Sequence, residues 1–297
     1  MYEQIAANRR RSVYLILGFS ILVLALGWVV GQLTGFGYYP VAIAAVVAIA
    51  MSWSSYYFSD KIVLTMSHAR AADPAEHARL INIVDGLAIA GGMPVPRVYV
   101  VDDPAPNAFA TGRDPEHAAV AVTTGLLERM NRVELEGVIA HEMSHIRNRD
   151  ILVSTIAVVL AGVVILLADW MLRGFWHLGA RRRGTEVPAA VIGVIGLLLV
   201  LLAPVFAQLM KFAVSRRREM LADSSGIELT RYPPGLISAL RKLRDDSTVV
   251  RTGSRATAHL WIESPLKREG GGARSWLNRL FDTHPPIEDR IKALESI

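Results

Sequence analysis

Four long apolar runs divide this chain, and few environments other than a bilayer accommodate all of them. Val13–Val30 carries no charged residue across 18 positions, close to the roughly 20 that a membrane-crossing helix needs. Pro40–Phe58 is a second run. It closes on Tyr56, Tyr57 and Phe58 with Trp53 nearby, aromatics suited to a membrane–water interface. Ile151–Leu172 and Val187–Met210 follow. The third run has one charge, Asp169, near its end. The fourth contains Pro188 and Pro204, which membrane helices tolerate where neighbours re-satisfy the backbone. The expected fold is a mainly α integral membrane protein with a small β-hairpin or sheet. Its four apolar helices fall at 13–33, 39–58, 151–172 and 187–210.

Composition agrees with a mixture of spans and polar domain. The chain is 52% hydrophobic and 20% charged, with mean hydropathy +0.33. That is too apolar for an ordinary soluble domain and too charged for spans alone. A net charge of +5 fits residues beside a cytoplasmic lipid face better than a nucleic-acid surface. Cysteine is absent, so a metal would have to be held by histidines and carboxylates.

Charge also orients the spans. Arg9, Arg10 and Arg11 precede the first run and the loop after it is uncharged, which places the N-terminus in the cytoplasm. A basic stretch before an apolar core also marks a signal peptide, but no clear cleavage site follows. Two spans return the chain to the cytoplasm near Asp60. The loop Arg173–Glu186 carries Arg173, Arg181, Arg182 and Arg183. If runs three and four both span, this basic loop lies outside, against the usual bias. Either earlier spans override the bias or the two runs form a hairpin that does not fully cross. The domain reading is therefore an N-terminal region 1–59, a first polar part 60–150, a membrane hairpin 151–210 and a second polar part 211–297.

Within 60–150, Asp73–Ala90 has helical spacing, with Leu80, Ile83, Val84 and Leu87 on one face and Gly91-Gly92 ending it. Arg97–Val101, Asn107–Ala110 and Ala118–Thr124 read as strands, the last two as a hairpin. Gly125–Met130 reads as a short helix. A helix then covers Val133 to Asp150, with Asn131 as N-cap and Val133, Gly137, Val138 and Ala140 on its packing face. Further helices are expected at Ser215–Thr230, Pro233–Arg244 and Ile287–Ser296.

The centre of Val133–Asp150 reads His141-Glu142-Met143-Ser144-His145. Residues four apart share a helix face, so His141 and His145 can bind one metal ion together. Glu142 is rotated about 100° from His141, where it can act on water as a general base. Catalytic zinc needs a third protein ligand and one open position. A third histidine six residues on, with glycine three residues after the second histidine, is excluded because Ile151 and Asn148 stand there. No glutamate occurs between Met143 and Thr185, and Glu186 lies at the far end of the hairpin. Glu219 is the first on the return side. The hairpin starts just after His145 and ends just before Glu219, so both ends meet at one membrane face whether or not it fully crosses. Asp223 shares a helix face with Glu219 and is suited to accept the remaining ring N–H of a ligand histidine.

These residues, with Asn107–Gly112, His141–Asp150, Ser215–Asp223, Thr283-His284-Pro285-Pro286 and Arg290, resemble the HtpX family of membrane zinc metallopeptidases, relatives of the prenyl (CAAX) protease. The resemblance covers nearly the whole chain. It implies a gluzincin-type cytoplasmic protease domain with one Zn2+ per chain. It implies an ATP-independent endopeptidase, multi-pass in the bacterial inner membrane, with the active site and both termini cytoplasmic. The implied task is quality control of misfolded or damaged membrane proteins. Partners are then the lipid bilayer and protein substrates, in particular membrane proteins with exposed cytoplasmic segments, and no nucleic acid. The resemblance also implies an edge strand at Asn107, Ala108 and Phe109 to which an extended substrate adds. It makes His284 the candidate donor to the reacting carbonyl oxygen, with Arg290 a weaker one. The alternative is a non-catalytic zinc-containing membrane scaffold, for which Glu142 has no use. A transporter is disfavoured because Asp169 is the only charge within the four runs.

Overall fold

A computed structural model describes residues 2–157, 159–160, 216–246, 248, 250, 260–262 and 286–296. The fourth apolar run, all but the start of the third, and His284 lie outside the described residues. Among those described the protein is mostly helical with one small sheet.

Helix α1 (Tyr2–Thr34) and helix α2 (Tyr39–Tyr57) are long and apolar enough to cross a membrane. Helix α1 starts before the expected span, because no proline or glycine interrupts its polar first turns. Ile21, Ile43, Val46 and Ile49 are more than half exposed on these helices. In water such a surface would be a large unburied apolar patch, whereas lipid accepts it.

Past α3 (Ser59–Met66) the chain forms a four-stranded sheet of β1 (Arg70–Ala71), β2 (Arg97–Val101), β3 (Ala108–Thr111) and β4 (Ala119–Thr123), in the order β1-β2-β4-β3. The pairs β3–β4 and β1–β2 are antiparallel and β2–β4 is parallel. The hairpin expected from Asn107–Thr124 is present. Strand β1 and the parallel pairing were not legible, since two exposed residues carry no alternation. Strand β4 is buried on both faces. Val120 and Val122 point to one core with α4 (Ala78–Gly91), while Ala119 and Ala121 meet Val63, Leu64, Phe109 and Trp261 on the other. Helix α4 begins at Ala78 rather than Asp73, because the Asp73 carboxylate accepts the Ala75 N–H at 2.8 Å and holds a turn there. It ends as expected on left-handed Gly92.

After α5 (Thr124–Arg129), helix α6 (Arg132–Arg147) runs through the centre of the polar domain. Asn131 and Glu134 close a reciprocal capping box at its start: the Asn131 side chain accepts the Glu134 N–H at 3.0 Å, and Glu134 accepts the Asn131 N–H at 2.8 Å. Its buried face is Leu135, Val138, Ile139, Met143 and Ile146, while Val133 is exposed. The helix does not continue to Asp150. It stops at Asn148, Arg149 adopts a left-handed backbone (φ 56°), and a new helical stretch starts at 150. Helix α7 (Arg216–Thr230) and helix α8 (Pro233–Asp245) pack on α6, and helix α9 (Ile287–Glu295) packs on α8 and α7. Two glycines permit this closeness. A Cβ on Gly226 of α7 would sit 3.1 Å from the His141 backbone nitrogen, and one on Gly137 would sit 2.7 Å from that of Leu236.

Candidate metal centre

Helix α6 carries His141, Glu142 and His145, and α7 crosses it close enough to deliver Glu219. His141, Glu142 and Glu219 are each at most 3% exposed. One ligand atom from each of His141, His145 and Glu219 lies within 4.8 Å of the others. The two Nε2 atoms are 3.3 Å apart. Glu219 Oε2 is 3.7 Å from His141 Nε2, and Oε1 is 3.6 Å from His145 Nε2.

What aims the two rings is behind them. His141 Nδ1 is 2.8 Å from Asp223 Oδ1, and His145 Nδ1 is 3.2 Å from Asp150 Oδ2. A carboxylate there accepts the Nδ1 proton, so each Nε2 lone pair turns inward. Asp223 is held in turn by Arg290, whose Nε and Nη2 donate to its two oxygens at 2.9 and 2.6 Å. The Arg290 guanidinium is buried and also contacts the Ile262 carbonyl at 3.4 Å. Its Nη2 also lies 3.3 Å from His141 Nδ1, so the guanidinium stands against both Asp223 and His141. Burial alone would raise the Asp223 carboxyl, but Arg290 and His141 outweigh it and hold Asp223 well below the usual carboxylate range.

Burial would depress the His145 imidazole, yet the Asp150 hydrogen bond and the charges of Glu219, Asp150 and Glu142 carry it up to about 9. Two inward lone pairs and a carboxylate in a buried space suit a cation. Two imidazoles and one carboxylate without sulfur fit zinc in a site with one position left open. The residues present therefore fit the expected metal. Glu142, next to His141, contributes its negative charge to the same space.

The edge position of β3 is as expected, but its side chains are not displayed. Asn107, Ala108 and Phe109 are at most 2% exposed, backbone included. The Ala108 carbonyl already accepts the Ile262 N–H at 2.9 Å, and Phe109 packs edge-on against Trp261. A substrate strand would have to displace residue 262 or pair further along. Asp150 was missed as a functional residue. Its spacing of five from His145 matches no helical repeat, and only the left-handed turn at Arg149 swings it back to the ring.

Residues 74–297 match peptidase family M48. The chain is 44% identical over 300 residues to a protease HtpX homolog of Caldanaerobacter subterraneus, covering 100% of this chain and 98% of that protein. It is 45% identical over 303 residues to a protease HtpX homolog of Levilactobacillus brevis, covering all of both. Among solved structures it is similar to S. mikatae Ste24p, with TM-score 0.50 and 17% identity over 99% of this chain and 67% of that one. That likeness speaks for the fold.

Proposed function

The chain belongs to peptidase family M48 and is a membrane metalloprotease, and from that premise we propose that one zinc ion is held by His141, His145 and Glu219, with Glu142 as general base. The observation that carries this reading is the buried convergence of three inward-facing donors whose histidines are each anchored from behind by a carboxylate. When bound, zinc would act as a Lewis acid that makes water acidic near neutral pH.

The chain's own residues do the rest. Glu142 takes a proton from the attacking water and returns it to the departing amine. Asp223 and Asp150 keep the Nδ1 protons on the two rings, so both Nε2 atoms stay available to the metal. The neighbouring edge of β3 would align an extended backbone, which suits substrates without a fixed sequence. His284 stays a proposed donor to the carbonyl oxygen. The substrates we propose are misfolded or damaged membrane proteins with exposed cytoplasmic segments, handled at a bacterial inner membrane. The N-terminal end of α1 touches Asp150 beside the metal centre, which supports placing both on one face, read here as cytoplasmic.

Replacing Glu142 with Gln tests the reading. Zinc content should remain near one per chain while cleavage of an unfolded membrane substrate falls by about 10²–10⁴. Cleavage at the normal rate would sink the assignment, whereas wild-type protein that itself fails to cleave would favour the scaffold alternative.

A further inference from the structure

The two histidines are supported by different parts of the chain. Behind His141 stands Asp223, held by Arg290 of α9. Behind His145 stands Asp150, and its remaining oxygen is held by the first membrane helix. Asn8 Nδ2 donates to Asp150 Oδ1 at 2.5 Å and reaches the Asn148 carbonyl at 3.3 Å. Asn8 and Asp150 are each 3% exposed. Arg218 Nη1 forms a long ion pair with the same Asp150 oxygen at 3.8 Å, beyond hydrogen-bond range. We propose that Asn8 is a positioning residue of the metal centre, fixing the Asp150 carboxylate so that its other oxygen orients His145.

The helix geometry explains why α1 can do this. Asn8, Ser12, Leu15 and Phe19 fall at i, i+4, i+7 and i+11, one stripe of a helix. All four are buried. Leu15 and Phe19 pack against Val153, Ile156, Ala157 and Leu160 at the start of the third apolar run. The seam is apolar inside and ends in one polar pair, Asn8 with Asp150. A single buried asparagine in an apolar seam sets the register of two helices. Here it also spans the break in the chain, since Asn8 contacts both Asn148 and Asp150 on either side of left-handed Arg149. A shift of α1 along the seam would therefore be felt at His145.

The proposal rests on His145 being a metal ligand, so the experiment carries controls for that reading. Full-length protein in detergent is prepared as Asn8→Ala, Asn8→Asp, Asp150→Asn and the exchange Asn8→Asp with Asp150→Asn. Ser12→Ala and Phe19→Ala alter the seam without touching Asp150. His145→Ala and Glu219→Ala are the ligand controls. Zinc affinity is measured by chelator competition, the visible spectrum is recorded after Co2+ substitution, and kcat and KM are measured separately.

Mutating a carboxylate that orients a ligand histidine weakens metal binding by about 10–100-fold, and removing the amide that fixes that carboxylate acts through the same link. Asn8→Ala should do so, shift the Co2+ bands and lower kcat with little change in KM. Asn8→Asp, which sets two carboxylates face to face, should be worse. The exchange restores an amide–carboxylate pair and should recover much of the loss. Ser12→Ala and Phe19→Ala should keep wild-type zinc affinity even if Phe19→Ala lowers Tm. Unchanged affinity in Asn8→Ala overturns the proposal. So does equal weakening by Phe19→Ala, or no recovery in the exchange, which stays informative if Asn8→Ala does not fold. Zinc retained by His145→Ala and Glu219→Ala would bring down the ligand reading itself, whereas zinc lost there but kept in Asn8→Ala would remove only the role of Asn8.

Discussion

At the scale of residues, the centre is built to exchange a proton for a metal. The carboxylates around His145 raise its imidazole to about 9, so at neutral pH the metal-free centre holds a proton that zinc must expel. Its pKa is raised, so the proton is present below about pH 9 and absent above. Apparent zinc affinity should fall about tenfold per pH unit on going down from 9 and level off above it. Asp150→Asn should move that bend to lower pH, since the hydrogen bond from Asp150 helps to raise the ring. Titrating zinc affinity against pH checks both, and a flat profile would contradict them. His141, Glu142, His145 and Glu219 were legible because their spacing and the lack of other glutamates leave few options. Asp150 and Asn8 were not, because they meet across 142 positions of sequence through a turn and a helix seam that no local pattern announces.

At the scale of elements, α6 is the part whose packing tolerates least. Alanine at Gly137 should gain about 1 kcal/mol of helix propensity, but its Cβ would sit 2.7 Å from the Leu236 backbone nitrogen, an overpacking that costs about 1–3 kcal/mol. The steric cost wins, so Gly137→Ala should lower Tm. Gly86→Ala in α4, where nothing lies within 4 Å, should raise it. The capping box makes a second prediction. Burial alone would raise Glu134, but Lys242, Ser238 and the Asn131 N–H hold it below its ordinary value. A depressed carboxylate stabilises the fold above its unfolded pKa, and that contribution is lost as pH falls through the folded one. Lys242 is partly exposed, so Lys242→Met should cost about 1 kcal/mol at pH 7. The cost should shrink in acid, read from denaturation midpoints at pH 7 and pH 4. The ends of most helices followed from capping and periodicity. The break at Asn148–Arg149 did not, because an Arg-Asn-Arg-Asp stretch is compatible with a continuing helix and tertiary contacts from α1 decide it.

At the scale of the whole molecule, the Asn8–Asp150 hydrogen bond joins the candidate metal centre to a helix long and apolar enough to cross a membrane. Helices α1 and α2 are joined by a short connection, so with both crossing a membrane Phe36 is expected on the face opposite the protease domain. The chain lacks cysteine, and Phe36 and Glu116 are both exposed. A membrane-impermeant maleimide on intact cells should label Phe36→Cys and leave Glu116→Cys unlabelled until the membrane is opened. Labelling of both, or the reverse order, would refute this topology. The membrane character of the chain was plain from its apolar runs. Which residues the spans touch was not, because lipid-facing and seam-facing positions are equally apolar in sequence.

Whether one metal sits between α6 and α7 is decided by anomalous scattering at the zinc edge from crystals of the purified protein. One peak per chain is expected, about 2.0–2.2 Å from His141 Nε2, His145 Nε2 and a Glu219 oxygen, with no fourth protein ligand. A peak elsewhere, or one closed off by four protein ligands, would contradict it.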